Sequence, residues 1–135
     1  MAGWGTGSFE NEDAQSFLKQ LSHLAVDGLW DILSRAADHD DYLNASESSV
    51  IVTAAEIVAT AKGAPPSTVP CEVSEWVGRI EGTPSHETND LARRAVERVR
   101  LNSELKDLWL QADGLNEWSA NLRDLEQRLA SQVCS

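Results

Sequence analysis

Residues 46–62 constrain the fold most. Val50, Ile51, Val52, Ala54, Ala55, Ile57, Val58, Ala59 and Ala61 leave this stretch almost no polar face. A helix that is apolar nearly all round must be surrounded by other elements, so this segment is predicted to be the central helix. Its β-branched residues disfavour helix only weakly, and its length argues against a strand. Gly63 supplies a stop, and Pro65-Pro66 forbids continuation.

The rest of the chain supplies the covering helices. Ala14, Phe17, Leu18, Leu21, Leu24 and Ala25 recur at helical spacing, and Leu29, Ile32, Leu33 and Ala36 repeat it after Gly28. The spacing predicts a helix over about 11–25 and a second over about 28–37. After the 62–70 Pro/Gly linker, a short helix over about 71–81 puts Val73, Trp76, Val77 and Ile80 on one side. Gly82-Thr83-Pro84-Ser85 breaks it, and the next, about 86–101, buries Leu91, Ala92, Ala95, Val96 and Val99. Asn102 or Ser103 caps a helix carrying Leu105, Leu108 and Trp109, and Gly114 interrupts the chain before a last helix over about 115–132. There Leu115, Trp118, Leu122, Leu125 and Leu129 are spaced as in a bundle seam. No window alternates with period two, and no internal repeat suggests a solenoid. The expectation is an all-α bundle of six or seven helices, a single domain over residues 1–135, with an irregular segment over 1–10 packed on it.

That opening segment reads Gly3-Trp4-Gly5-Thr6-Gly7-Ser8-Phe9-Glu10-Asn11-Glu12-Asp13-Ala14. Alternating glycines let a chain turn sharply around a large side chain, so Trp4 and Phe9 read as structural anchors and Asn11 as a helix N-cap. A phosphate-binding reading fails, because no Lys follows the glycines and no strand precedes them. Gly3, Trp4, Gly5, Gly7, Phe9, Asn11, Asp13 and Ala14 together resemble the start of the bacterial domain-of-unknown-function family 4259, with Glu12 where an Asp is common. Thr53-Ala54-Ala55-Glu56-Ile57-Val58-Ala59 and Ser103-Glu104-Leu105-Lys106-Asp107-Leu108-Trp109 extend the similarity over most of the chain. The resemblance implies a small, soluble, helical bacterial protein and carries over no catalytic residues.

Charge narrows the partners. The net charge is −11, from 22 acids and 11 bases. Through Thr60 there are ten acids against Lys19 and Arg35, so that part alone carries −8. Such a field repels nucleic acid and anionic membranes and attracts a basic protein. Asp27, Asp31, Asp38, Asp40 and Asp41 are the candidate partner-binding residues. Arg93, Arg94, Arg98 and Arg100 form a basic cluster suited to pairing with the acidic part of this molecule or of a second copy. The first residues lack a basic region followed by an apolar core, which predicts no export signal and a cytoplasmic location. In a cytosolic-looking chain Cys71 and Cys134 read as free thiols, with a structural disulfide as the alternative, and neither belongs to a zinc or CxxC pattern.

Candidate chemistry is sparse. Counted from Asp38, a calcium loop would need Gly and an acid where Leu43 and Ser49 stand, so Asp38-His39-Asp40-Asp41 reads as a solvated loop. His86-Glu87-Thr88-Asn89-Asp90 has Asp where a zincin helix has its second His. Gly5-Thr6-Gly7-Ser8-Phe9 lacks the second glycine of a nucleophile elbow. No metal, cofactor or catalytic residue is therefore assigned. Trp4, Trp30, Trp76, Trp109 and Trp118 mostly fall at apolar helix positions and read as core anchors.

Glu56 is the exception that demands a partner. A carboxylate in a helix without a polar face must be paired, hydrogen-bonded or protonated. The structural reading is a link to an indole N–H or to an arginine such as Arg94. The functional reading is an acid beside a pocket lined by tryptophans. The sequence thus leads to a non-enzymatic interaction protein, resembling immunity or antitoxin proteins by analogy. The alternatives are a small-ligand binder or enzyme around Glu56, and a homo-oligomer formed through the C-terminal helix.

Overall fold

The computed structural model describes residues 16, 17, 19, 20, 26–38, 44–62, 71–79, 86–101, 103–111 and 113–130. Among them are six helices: α1 (Val26–Asp38), α2 (Ala45–Lys62), α3 (Cys71–Arg79), α4 (His86–Leu101), α5 (Glu104–Gln111) and α6 (Leu115–Ala130). Residues 16, 17, 19 and 20 are helical as well, and Phe17 packs against the core. No strand occurs among the described residues. The fold is an all-α bundle.

Helix α2 is the hub, in contact with each of the other five. Every residue from Ile51 to Ala59 is buried. Its start is fixed by Asn44, whose Oδ1 accepts from the Glu47 amide at 2.8 Å, an N-cap three residues before an acid in the first turn. Helix α4 is the second hub and packs against α1, α2, α5 and α6. It presents Leu91, Ala92, Ala95, Val96 and Val99 to the core. Three alanines on α2 and two on α4 are fully buried, which lets neighbouring helices approach closely. The seam of α6, Trp118, Leu122, Leu125 and Leu129, is buried within this bundle.

Helix α1 runs unbroken through Gly28, because tertiary packing of Leu29, Leu33 and Ala36 outweighs the modest penalty of one glycine. Trp30 departs from the expected core role and is 47% exposed. It follows Leu29 by one residue, roughly 100° further round the helix and off the buried stripe. The other described tryptophans, Trp76, Trp109 and Trp118, are buried. Trp4, Phe9, Asn11 and the 62–70 linker beyond Lys62 lie outside the described residues.

Two junctions set the path of the C-terminal half. Ser103 caps α5: its Oγ accepts from the Lys106 amide at 3.1 Å and donates to the Val99 carbonyl at 2.6 Å, so one hydroxyl joins α4 to α5. At the other end of α5, the Gly114 amide donates to the Trp109 carbonyl at 3.0 Å and the Asp113 amide to Leu110 at 3.3 Å. This pair of bonds is a Schellman motif. The left-handed residue is Asp113, with φ of 60°, rather than the glycine the sequence suggests as the breaker. Gly114 is needed for space, since a Cβ there would stand 2.6 Å from Cε3 of Trp109. Gly114→Ala is expected to cost about 1–3 kcal/mol by overpacking against the indole. Asp113→Gly is expected to add about 0.5–1 kcal/mol by relieving the left-handed conformation. Urea denaturation of both variants checks the opposite signs.

Candidate functional site

The central helix has a polar side after all. Ser49, Thr53, Glu56 and Thr60 are spaced by four, three and four residues and form one stripe. The first three are buried and Thr60 is half-buried. The hydroxyls are satisfied locally where they can be: Thr53 Oγ1 donates to the Ser49 carbonyl at 2.8 Å, and Thr60 Oγ1 to the Glu56 carbonyl at 2.9 Å.

Glu56 is 1% exposed and meets Arg128 of α6. Arg128 Nη1 donates to Oε1 at 2.8 Å and Nη2 to Oε2 at 3.1 Å. The same guanidinium donates from Nε to Asp124 Oδ2 at 2.8 Å. Three nitrogens of one planar group therefore bind two carboxylates in fixed directions, which a lysine could not do. Burial works against the Arg128 charge, but the Glu56 and Asp124 hydrogen bonds outweigh it and hold its pKa above the ordinary arginine value. Arg94, the partner suggested by sequence, instead binds Asp90 on its own helix at 3.2 Å and is half exposed.

A second pair ties α4 to α6. Arg100 Nε donates to Glu126 Oε2 at 2.6 Å and Nη2 to Oε1 at 3.3 Å. The Glu126 hydrogen bond, against partial desolvation, raises the Arg100 pKa. Arg93 bridges Asp90 at 3.0 Å and Glu97 at 3.4 Å. The Arg93 hydrogen bond, with the charges of Arg93 and Arg94, holds the Asp90 carboxyl below its usual range against desolvation. Of the arginine cluster, Arg93, Arg94 and Arg100 thus pair within α4 and with α6.

The residues singled out by sequence divide between exposed and buried positions. Asp31 is exposed on α1 and pairs with Arg35 at 3.2 Å, an i,i+4 contact open to water on both sides. Asp27 and Asp38 belong to the same helix, and helical register sets positions 27, 31, 34 and 38 opposite Leu29, Leu33 and Ala36. Asp40 and Asp41 lie outside the described residues. Trp109 is buried against Gly114 and is remote in role from α1. Among the described residues, no three His, Cys, Asp or Glu side chains group to hold a metal ion. No helix there is long and apolar enough to cross a membrane.

Sequence reasoning missed Glu126 and Arg128. The signal for Arg128 was a charge wedged between Leu125 and Leu129 of the α6 seam. Arg128→Ala leaves a buried carboxylate bare and is expected to cost about 3–5 kcal/mol. Replacing both partners, as Glu56→Leu with Arg128→Met, is expected to recover most of that loss. Chemical denaturation of the single and double variants checks the difference. A Glu56→Gln protein with an unchanged melting temperature would show that the carboxylate charge does not hold the core.

No curated protein and no solved structure matches this chain. A family match does exist and covers residues 3–121. It takes in α1 to α5 and the first part of α6, including Glu56, and stops short of Glu126 and Arg128. By that match the chain belongs to the DUF4259 family, a domain of unknown function.

Proposed function

We propose that this chain is a non-enzymatic protein-interaction module that docks a basic protein. The docking surface is the outward side of α1 and the connection after it, with Asp27, Asp31, Asp38, Asp40 and Asp41 as its carboxylates. One observation carries the reading. Arg93, Arg94, Arg100 and Arg128 are occupied by Asp90, Glu97, Glu126, Glu56 and Asp124, and except for Glu56 of α2 these acids all belong to α4 and α6. These pairs lie within α2, α4 and α6, while residues 1–60 carry ten acids against two bases. The resulting negative surface steers a cationic partner and makes its association dependent on salt. By analogy the role is that of an immunity or antitoxin protein in a bacterial cytoplasm, and it calls for no cofactor, nucleic acid or membrane.

A ligand pocket or active site around Glu56 has less support. Both oxygens of that carboxylate already accept from Arg128, and Trp76, Trp109 and Trp118 are buried in the core. A homo-oligomer through α6 would have to use its outer side, since the leucine seam packs internally.

The test compares the wild type with a variant carrying Asp27→Asn, Asp31→Asn and Asp38→Asn. Both are immobilised and exposed to extract of the producing organism. A basic protein is expected on the wild type at low salt, released as the salt approaches about 0.3 M, where surface charges are screened within several ångströms. The triple variant is expected to retain it about tenfold less well. Equal retention by both proteins overturns the proposal.

A further inference from the structure

Trp30 is the one described tryptophan that the core does not bury, and its place on the helix gives it a use. It precedes Asp31 on α1, about 100° round the helix from it, and shares its side with position 27 one turn before and position 34 one turn after. Nearly half of it is open to water. Helix α1 reaches α2 and α4 through Leu29, Leu33 and Ala36, so the indole flanks the contact and faces outward. The neighbouring Asp31 carboxylate pairs with Arg35 in an exposed contact at 3.2 Å, and such pairs exchange easily in water.

We infer that the group recognised on this face is an arginine of the partner, its guanidinium stacked on the Trp30 indole and forked to a carboxylate of the same helix. This rests on the docking reading above. A guanidinium is planar, weakly hydrated and able to stack while its edge donates to a carboxylate; an ammonium offers a compact, strongly hydrated charge. An exposed tryptophan within an acidic surface therefore selects arginine over lysine. The aromatic ring supplies the contact that is lost last, and the surrounding carboxylates supply the approach.

The experiment titrates the full chain with hexa-arginine and, separately, hexa-lysine at low salt. Binding is followed by the indole N–H resonances in nuclear magnetic resonance spectra. The Trp30 signal is assigned by its loss in Trp30→Phe, and Trp30→Leu is the test variant, with its melting curve confirming the fold. The expected result is a shift of the Trp30 resonance with hexa-arginine. Affinity for hexa-arginine is expected to drop about two- to fivefold in Trp30→Leu, the worth of an exposed cation–π contact, with no comparable drop for hexa-lysine. Binding of both peptides with a static Trp30 resonance, or with equal affinity for the variant, overturns the arginine assignment and leaves the acidic docking surface standing. Failure of both peptides to bind overturns the docking surface and this inference with it.

Discussion

A carboxylate in the middle of the most enclosed helix needs a cation, and the bundle is arranged so that it has one. Glu56 cannot reach water, and an unpaired charge there would cost more than most single contacts in the core contribute. Arg128 meets both of its oxygens, and Asp124 holds the remaining edge of the guanidinium. The position of α6 against α2 is therefore specified by direction as well as by apolar fit. Leu122, Leu125 and Leu129 would tolerate small rotations of α6, while two parallel hydrogen bonds tolerate far less. The Arg100–Glu126 pair repeats the constraint against α4.

This internal use of arginine shapes the exterior. Four arginines of α4 and α6 are spent on carboxylates of α2, α4 and α6, and residues 1–60 hold ten acids against two bases. An aromatic ring left at the edge of that surface gives it a chemical identity beyond its sign. Packing and recognition are thus separated. The core is fixed by α2, α4 and α6, and the outward side of α1 carries the surface proposed for contact.

Much of the architecture was legible because apolar periodicity reports burial directly. The span from Ala45 to Lys62 and the span from His86 to Leu101 read from sequence almost as they fold. Ser103 was readable as a cap, since a hydroxyl ahead of Glu104 and Leu105 is a common helix start. Gly28 misled, because a helix interior can absorb a glycine when its neighbours are well buried. The break near Gly114 was legible, but its left-handed residue is Asp113, which no glycine pattern announces. The need of Glu56 for a partner followed from the helix around it, but the partner did not. Periodicity fixes which side of one helix faces inward and says nothing of which residue on a distant helix arrives there. Trp30 shows the same limit, as its size suggested the core and its angle around α1 excluded it.

The two members of the buried pair are separated by 72 positions along the chain. Synthesis runs from the N-terminus, so α2 emerges long before the guanidinium that completes it. Until residue 128 is available, the nascent chain holds a carboxylate that resists enclosure, and α2 has reason to stay loosely hydrated. Arrival of α6 removes that resistance at one stroke. Closure of the bundle is thereby tied to the emergence of α6, which guards the most apolar stretch of the chain against premature burial among the wrong neighbours.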